Sequence, residues 1–231
     1  NTVIALSVSG ETEETIKVVR NTKAKVKIAI TRDKNSTITK YSTHIIPMVW
    51  GEYLSDPATK SVVEEYYIVK QLFSEKFGKY IPISDKEIEQ IEENLNLGFP
   101  QEIIDTFRRT NRVVVVGQKG FSQEVETKFE EVARIQAEAI TGPLIFYSAI
   151  EVLNQGDVIL VVDPERMKNY KSALKKAARS KDIFYVNKLG IKGDGFYKSI
   201  IKYAGLLKMI IDIGKSKNVD IDHPEIFART T

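Results

Sequence analysis

VIALSVSGETEETIKVVRNTKAKVKIAIT, residues 3–31, lines up with VILVVDPERMKNYKSALKKAARSKDIFYVN, residues 158–187. Each copy reads as an apolar strand, a turn, a helix, a basic turn and a second strand. Strands that alternate with helices at this spacing make βαβ units, which bury a parallel sheet between helices. Generic βαβ self-similarity is the simpler account of the match; an internal duplication is the more informative one. If the duplication is real, the strand and helix beginning RVVVVGQKGFS, residues 112–122, stand before the second copy with no counterpart before Val3. The chain then lacks a first βα element of about 50 residues.

Outward from this repeat, Val3–Ser7, Val26–Thr31 and His44–Val49 read as strands, with a helix over Thr12–Thr22. Asp56-Pro57 opens a long helical pattern through Phe77, Asp being a good N-cap and Pro suited to the first helical turn. Residues 78–111, punctuated by Gly78, Pro82, Gly98 and Pro100, read as a helical connector. Beyond it come a strand over Arg112–Val116, a helix over Ser122–Ala139 and a strand over Asp157–Val162. A helix over Arg166–Arg179, a strand over Ile183–Val186 and a helix over Phe196–Ile213 complete the pattern. The domain reading is a first unit at 1–78, a connector at 79–111, a second unit at 112–213 and a tail at 214–231.

Composition narrows the function. The 231 residues contain no cysteine and two histidines, which excludes a disulfide framework, a cysteine nucleophile and a thiolate or histidine-rich metal site. At this size roughly 72% of the unfolded surface is buried on folding, enough for a core without staples. The net charge is +3, with 28% charged residues of both signs interleaved, so no nucleic-acid partner is expected. Seven basic residues between Arg166 and Lys181 read as a solvated helix face over Tyr170, Leu174 and Ala177. No apolar run reaches the ~20 residues that span a membrane. The expectation is a cytoplasmic protein without membrane contact, and its Lys-, Glu- and Ile-rich composition leans towards a thermophile.

The sharpest local signal is Ser7-Val8-Ser9-Gly10-Glu11-Thr12. It sits where a parallel strand ends and a helix begins, the place where open α/β sheets bind ligands. The helix offers unpaired N–H groups and the positive end of its dipole to an anion. Gly10 permits close backbone approach, and Ser7, Ser9 and Thr12 can donate to phosphate oxygens. The lysine and spacing of a P-loop are absent. The same six residues also make an ordinary capping turn. On the later helix, Glu124, Lys128 and Glu131 share one face beside the apolar stripe of Val125, Phe129 and Val132, a pattern common in solvated salt-bridge ladders.

SxSGET and its helix resemble the phosphosugar-binding motif of the sugar isomerase (SIS) domain family. Within that family the chain is most similar to the isomerase half of glucosamine–fructose-6-phosphate aminotransferases. The resemblance extends to Ala58-Thr59-Lys60, Lys128-Phe129-Glu130-Glu131, Ala137-Glu138-Ala139 and Asp222-His223-Pro224. It implies a three-layer αβα sandwich in each of two tandem units, a homodimer, a phosphorylated sugar as ligand, no cofactor and no metal. Ser7, Val8, Ser9, Gly10, Thr12, Ala58 and Arg229 would contact substrate. Glu131 would be the base that shuttles a proton between C1 and C2.

Four departures qualify the expectation. Val8 replaces a glutamine and Ala58 a serine. The stretch after Ala139, ITGPLIFY at 140–147, lacks the family's ring-opening histidine. Arg229 stands where the family has a Schiff-base lysine, and a guanidinium cannot lose its proton in a protein. Arg229 could still hold a phosphate or hydroxyl as a fixed cation. His223 is the candidate replacement acid, while His44 reads as structural. The expected activity is an aldose–ketose isomerase or deaminating isomerase acting on a hexose or aminohexose 6-phosphate. The alternatives are a non-catalytic phosphosugar sensor and a purely structural dimer module.

Overall fold

The computed structural model describes residues 1–49, 59–76, 79–141, 153–154, 156–167, 174 and 182–221. Those up to Ile81 form one compact unit and those from Pro82 another.

In the first unit, β1 (Thr2–Leu6), β2 (Val26–Thr31) and β3 (His44–Pro47) make a parallel sheet in the order β1-β2-β3. α1 (Glu13–Asn21) connects β1 to β2, and α2 (Lys60–Lys76) follows β3. Acidic Glu13 and Glu14 open α1 and basic Arg20 closes it, matching the helix dipole at both ends. Val19 of α1 packs with Ala5, Ala29 and Ile38, while the charged residues of α1 face solvent. The start expected for α2 at Asp56 lies outside the described residues.

The second unit opens with α3 (Asp85–Leu95) and α4 (Gln101–Arg109). These are followed by β4 (Arg112–Gly117), α5 (Phe121–Glu131), β5 (Ala137–Thr141), β6 (Asp157–Val161), β7 (Ile183–Tyr185) and α6 (Lys198–Ser216). Its four strands are parallel in the order β5-β4-β6-β7. Successive strand side chains point to opposite faces, so the valine runs feed two cores. Val113, Val115, Val158 and Leu160 meet α4, α5 and α6, while Val114, Val116, Ile159 and Val161 meet Met167 and Leu174. Apolar cover on both faces is the condition for an all-parallel sheet.

Arg112 ties three strands together. Its guanidinium donates to Glu138 of β5 at 2.9 Å and to Asp157 of β6 at 2.7 Å. The 79–111 stretch, read from sequence as a connector, brings Ile104 and Phe107 into the second unit's core. α3 begins with a capping box between Ser84 and Glu87. Its buried Glu87, Gln90 and Asn94 accept hydrogen bonds from the backbone N–H groups of Tyr197, Asp194 and Lys192. The segment that leads into α6 is thereby fixed by polar side chains.

One expectation is overturned. The helix expected over 122–139 stops at Glu131, Arg134 takes a positive φ of 52°, and Ala137-Glu138-Ala139 forms the body of β5. Ala and Glu favour helices, but pairing of all five β5 residues with Val113–Gly117 of β4 outweighs that preference of a few tenths of a kcal/mol per residue.

Candidate functional site

The 7–12 loop follows β1 and is held tightly from within. The Gly10 N–H donates to Ser7 Oγ at 3.1 Å and to Ser7 O at 3.0 Å. Ser7 Oγ also lies 2.9 Å from Thr12 Oγ1, and the Glu11 N–H donates to Ser9 Oγ at 3.2 Å. Gly10 has a φ of 70°, and an added Cβ would overlap the Ser36 side chain and lie 2.9 Å from Thr31 Oγ1. Both conformation and space demand glycine here.

The hydroxyls keep donor capacity despite these bonds. Each has one proton and two lone pairs. Ser9 accepts from backbone, so its own proton is available, and the Ser7–Thr12 pair spends one of its two protons on the bond between them. Thr12 makes no side-chain cap to α1, whose first N–H groups are therefore left uncapped by it. Val8 contributes through its main chain: its carbonyl accepts from Thr31 Oγ1 at 3.2 Å and from the Arg32 N–H at 3.0 Å.

Three residues in this region were not singled out from sequence. Glu11 accepts the Thr37 N–H at 2.7 Å and pins the loop to the turn at 37–41. Hydrogen bonds from the Thr37 backbone and side chain hold its carboxyl below the ordinary range. Thr31 and Ser36 close the loop from the β2 side. Among loop positions, a carboxylate immediately after the glycine was the available signal.

Glu131 lies at the end of α5 in the second unit, and the ladder around it is not a solvated face. Lys128 is 2% exposed, with Nζ 2.5 Å from Glu131 and 3.5 Å from Glu124. Tyr203 of α6 donates its hydroxyl to Glu124 at 2.9 Å. An ammonium this deep needs counter-charge, which Glu131 supplies through a hydrogen bond and Glu124 at ion-pair distance. Ala58, His223 and Arg229 lie outside the described residues. His44 sits exposed on β3, with Nδ1 2.9 Å from the Thr43 hydroxyl. Among the described residues no acidic or histidine cluster could hold a metal ion, and no helix is long and apolar enough to cross a membrane.

No family model matches the chain. The chain is 26% identical over an alignment of 186 positions to the isomerizing glutamine–fructose-6-phosphate aminotransferase of Methanocaldococcus jannaschii, a match that covers 74% of this chain and 17% of that protein. The C-terminal domain of glucosamine–fructose-6-phosphate aminotransferase from Francisella tularensis superposes with a TM-score of 0.73 at 16% identity. That superposition covers 97% of this chain and 75% of the other. The fold is that of the SIS domain family. A second neighbour, glucosamine-6-phosphate deaminase from Thermotoga maritima, also gives a TM-score of 0.73 at 16% identity, over 97% of this chain and 73% of that one. Within the SIS fold, the 7–12 loop occupies the carboxyl end of a parallel strand, as the sequence reading required.

Proposed function

We propose that the chain binds a phosphorylated sugar and interconverts its aldose and ketose forms. The substrate is a hexose or aminohexose 6-phosphate. The phosphate is held by Ser7, Ser9, Gly10, Thr12 and the start of α1, with Val8 and Ala58 lining the site and Arg229 a further anion contact. The two compact units act as tandem SIS units, the 214–231 tail closes the site, and the active form is a homodimer. The observation that carries the reading is the 7–12 loop, where hydroxyl donors and uncapped helix N–H groups share the end of a parallel strand.

In the isomerisation, Glu131 removes the C2 proton of the open-chain aldose, leaving an enediolate; a proton passes from O2 to O1, and Glu131 returns its proton to C1 to give the ketose. An aminohexose phosphate takes the same route to an imine, which water hydrolyses to ketose phosphate and ammonia. His223 serves as the acid for ring opening. Fructose 6-phosphate, glucose 6-phosphate and glucosamine 6-phosphate, each followed by NMR in deuterated water, test this. Loss of the C1 or C2 proton signal is the expected result, and Glu131→Gln should abolish it while sparing binding. Exchange retained in that variant would remove Glu131 from the role.

The second reading is a phosphosugar sensor without turnover. It is favoured by Arg229 in place of a lysine and by the absence of histidine from 140–147. Ligand line broadening with no proton exchange would select it.

A further inference from the structure

We infer that Tyr203 is a positioning residue for Glu131, acting through Glu124 and Lys128. The inference rests on the assignment of Glu131 as base and adds to it the device that holds the carboxylate. Glu131 needs one: its side chain is 43% exposed at the last turn of α5. Lys128 provides the anchor, since its ammonium is buried and reaches Glu131 at 2.5 Å.

Lys128 faces two carboxylates, at i−4 and i+3, and could close on either. The structure shows it pressed to Glu131 and standing off at 3.5 Å from Glu124. The oxygen of Glu124 that faces Lys128 is Oε1, and it is the same oxygen that receives the Tyr203 hydroxyl. Tyr203 therefore competes with Lys128 for one atom. Its phenol satisfies Glu124 from the α6 side, and the ammonium is left to Glu131. A buried tyrosine hydroxyl seeks such a partner, and a bond to an ionised acceptor is among the stronger ones.

Tyr203→Phe keeps the ring and removes the proton. Glu124 is then free to close on Lys128 and draw it from Glu131, so the loss falls on turnover and not on substrate binding. The expected result is a roughly tenfold fall in kcat, the scale of one hydrogen bond to a charged group, with KM within about twofold. Glu124→Gln, at a more exposed position, removes the competing carboxylate and is the second variant, made in the Tyr203→Phe background. Because Tyr203 acts only through Glu124, Tyr203→Phe/Glu124→Gln should be faster than Tyr203→Phe alone.

Unchanged kcat in Tyr203→Phe, a loss confined to KM, or a double variant no faster than Tyr203→Phe would overturn the inference. Each of these leaves Glu131 as base if Glu131→Gln is still inactive. A Glu131→Gln enzyme that turns over, or a wild-type protein that exchanges no proton with the three sugars, overturns the base assignment and this inference together.

Discussion

The turns after β1 and after β6 stand at matching positions when residues 3–31 are aligned with 158–187, and they solve opposite electrostatic problems. Both follow a strand that pairs in parallel with the next one, β1 with β2 and β6 with β7. The first turn carries three hydroxyls and a glycine. The second carries Asp163 and Glu165, and Lys202 of α6 fills it from inside the protein. Lys202 is 3% exposed, with Nζ 3.0 Å and 3.3 Å from the Glu165 oxygens and 3.8 Å from Asp163. The second turn thus takes its compensating charge from its own chain. The first has uncapped helix N–H groups and spare hydroxyl protons to offer to an anion from outside. Topology makes both positions candidate ligand sites, and in the second a lysine of the chain itself supplies the counter-charge.

The comparison breaks most sharply at Gly10. Gly10→Ala must hold a left-handed φ and force a Cβ onto Ser36, together costing about 3 kcal/mol. Gly120 has a φ of 75° and a ψ of −61°, with nothing within 4 Å of its missing Cβ, so Gly120→Ala should cost only the conformational part, about 2 kcal/mol. Urea unfolding of both variants separates the terms. Equal losses would mean that Ser36 yields and that the loop is less rigid than its hydrogen bonds imply. If the loop is the phosphate site, Gly10→Ala alone should also lose sugar-phosphate binding.

A smaller effect is expected in the second turn. Lys202→Met keeps the aliphatic stem and leaves Asp163 and Glu165 without their ammonium, at a cost of about 2 kcal/mol near pH 7, below the full buried-pair figure because Glu165 is half exposed. Burial pushes the Glu165 carboxyl up, but the Lys202 hydrogen bond, a backbone N–H and the charges of Lys202 and Lys198 hold it below its ordinary value. A depressed carboxylate stabilises the fold above its unfolded value, about 4.3, and loses that contribution as pH falls through the folded one. The wild type should therefore lose more stability than Lys202→Met on acidification below that range. Parallel pH curves would show that the ion pair contributes nothing.

The strands and the first turn were legible because their signals are local. Val26–Thr31 is a β-branched run that needs no distant partner to be recognised, and Gly10 lies within a hydroxyl-rich hexapeptide. The end of α5 was misread because Ala137-Glu138-Ala139 continues a helical composition, and only pairing with β4 makes it a strand. The α3 contribution was hidden for a different reason: its buried face is Glu87, Gln90 and Asn94, and apolar periodicity cannot reveal a polar face. Tyr203 and Lys202 meet partners 79 and 37 residues away, which no spacing rule addresses.

The smallest effect concerns how Lys202 is put in place. Its stem runs past Gly193, where a Cβ would collide with it, and that segment is held by α3. Glu87 is the outermost of the three clamps. Oε1 accepts the Tyr197 N–H at 2.9 Å, and Oε2 accepts the Ser84 N–H at 3.0 Å and its hydroxyl at 2.7 Å. Glu87→Gln retains one acceptor oxygen and so abandons either Tyr197 or Ser84, a loss of about 1 kcal/mol. Burial raises the Glu87 carboxyl, but these hydrogen bonds from Tyr197, Ser84 and the Phe196 backbone outweigh it and hold the group below its ordinary value. The sign is that of Glu165: the stabilisation is present above the unfolded value and disappears as pH falls through the folded one. Urea midpoints of wild type and Glu87→Gln should therefore differ near pH 7 and converge as pH falls through the folded value. A gap that does not change with pH would show that the clamp works by shape alone, and that Lys202 keeps its place in the second turn without the carboxylate's charge.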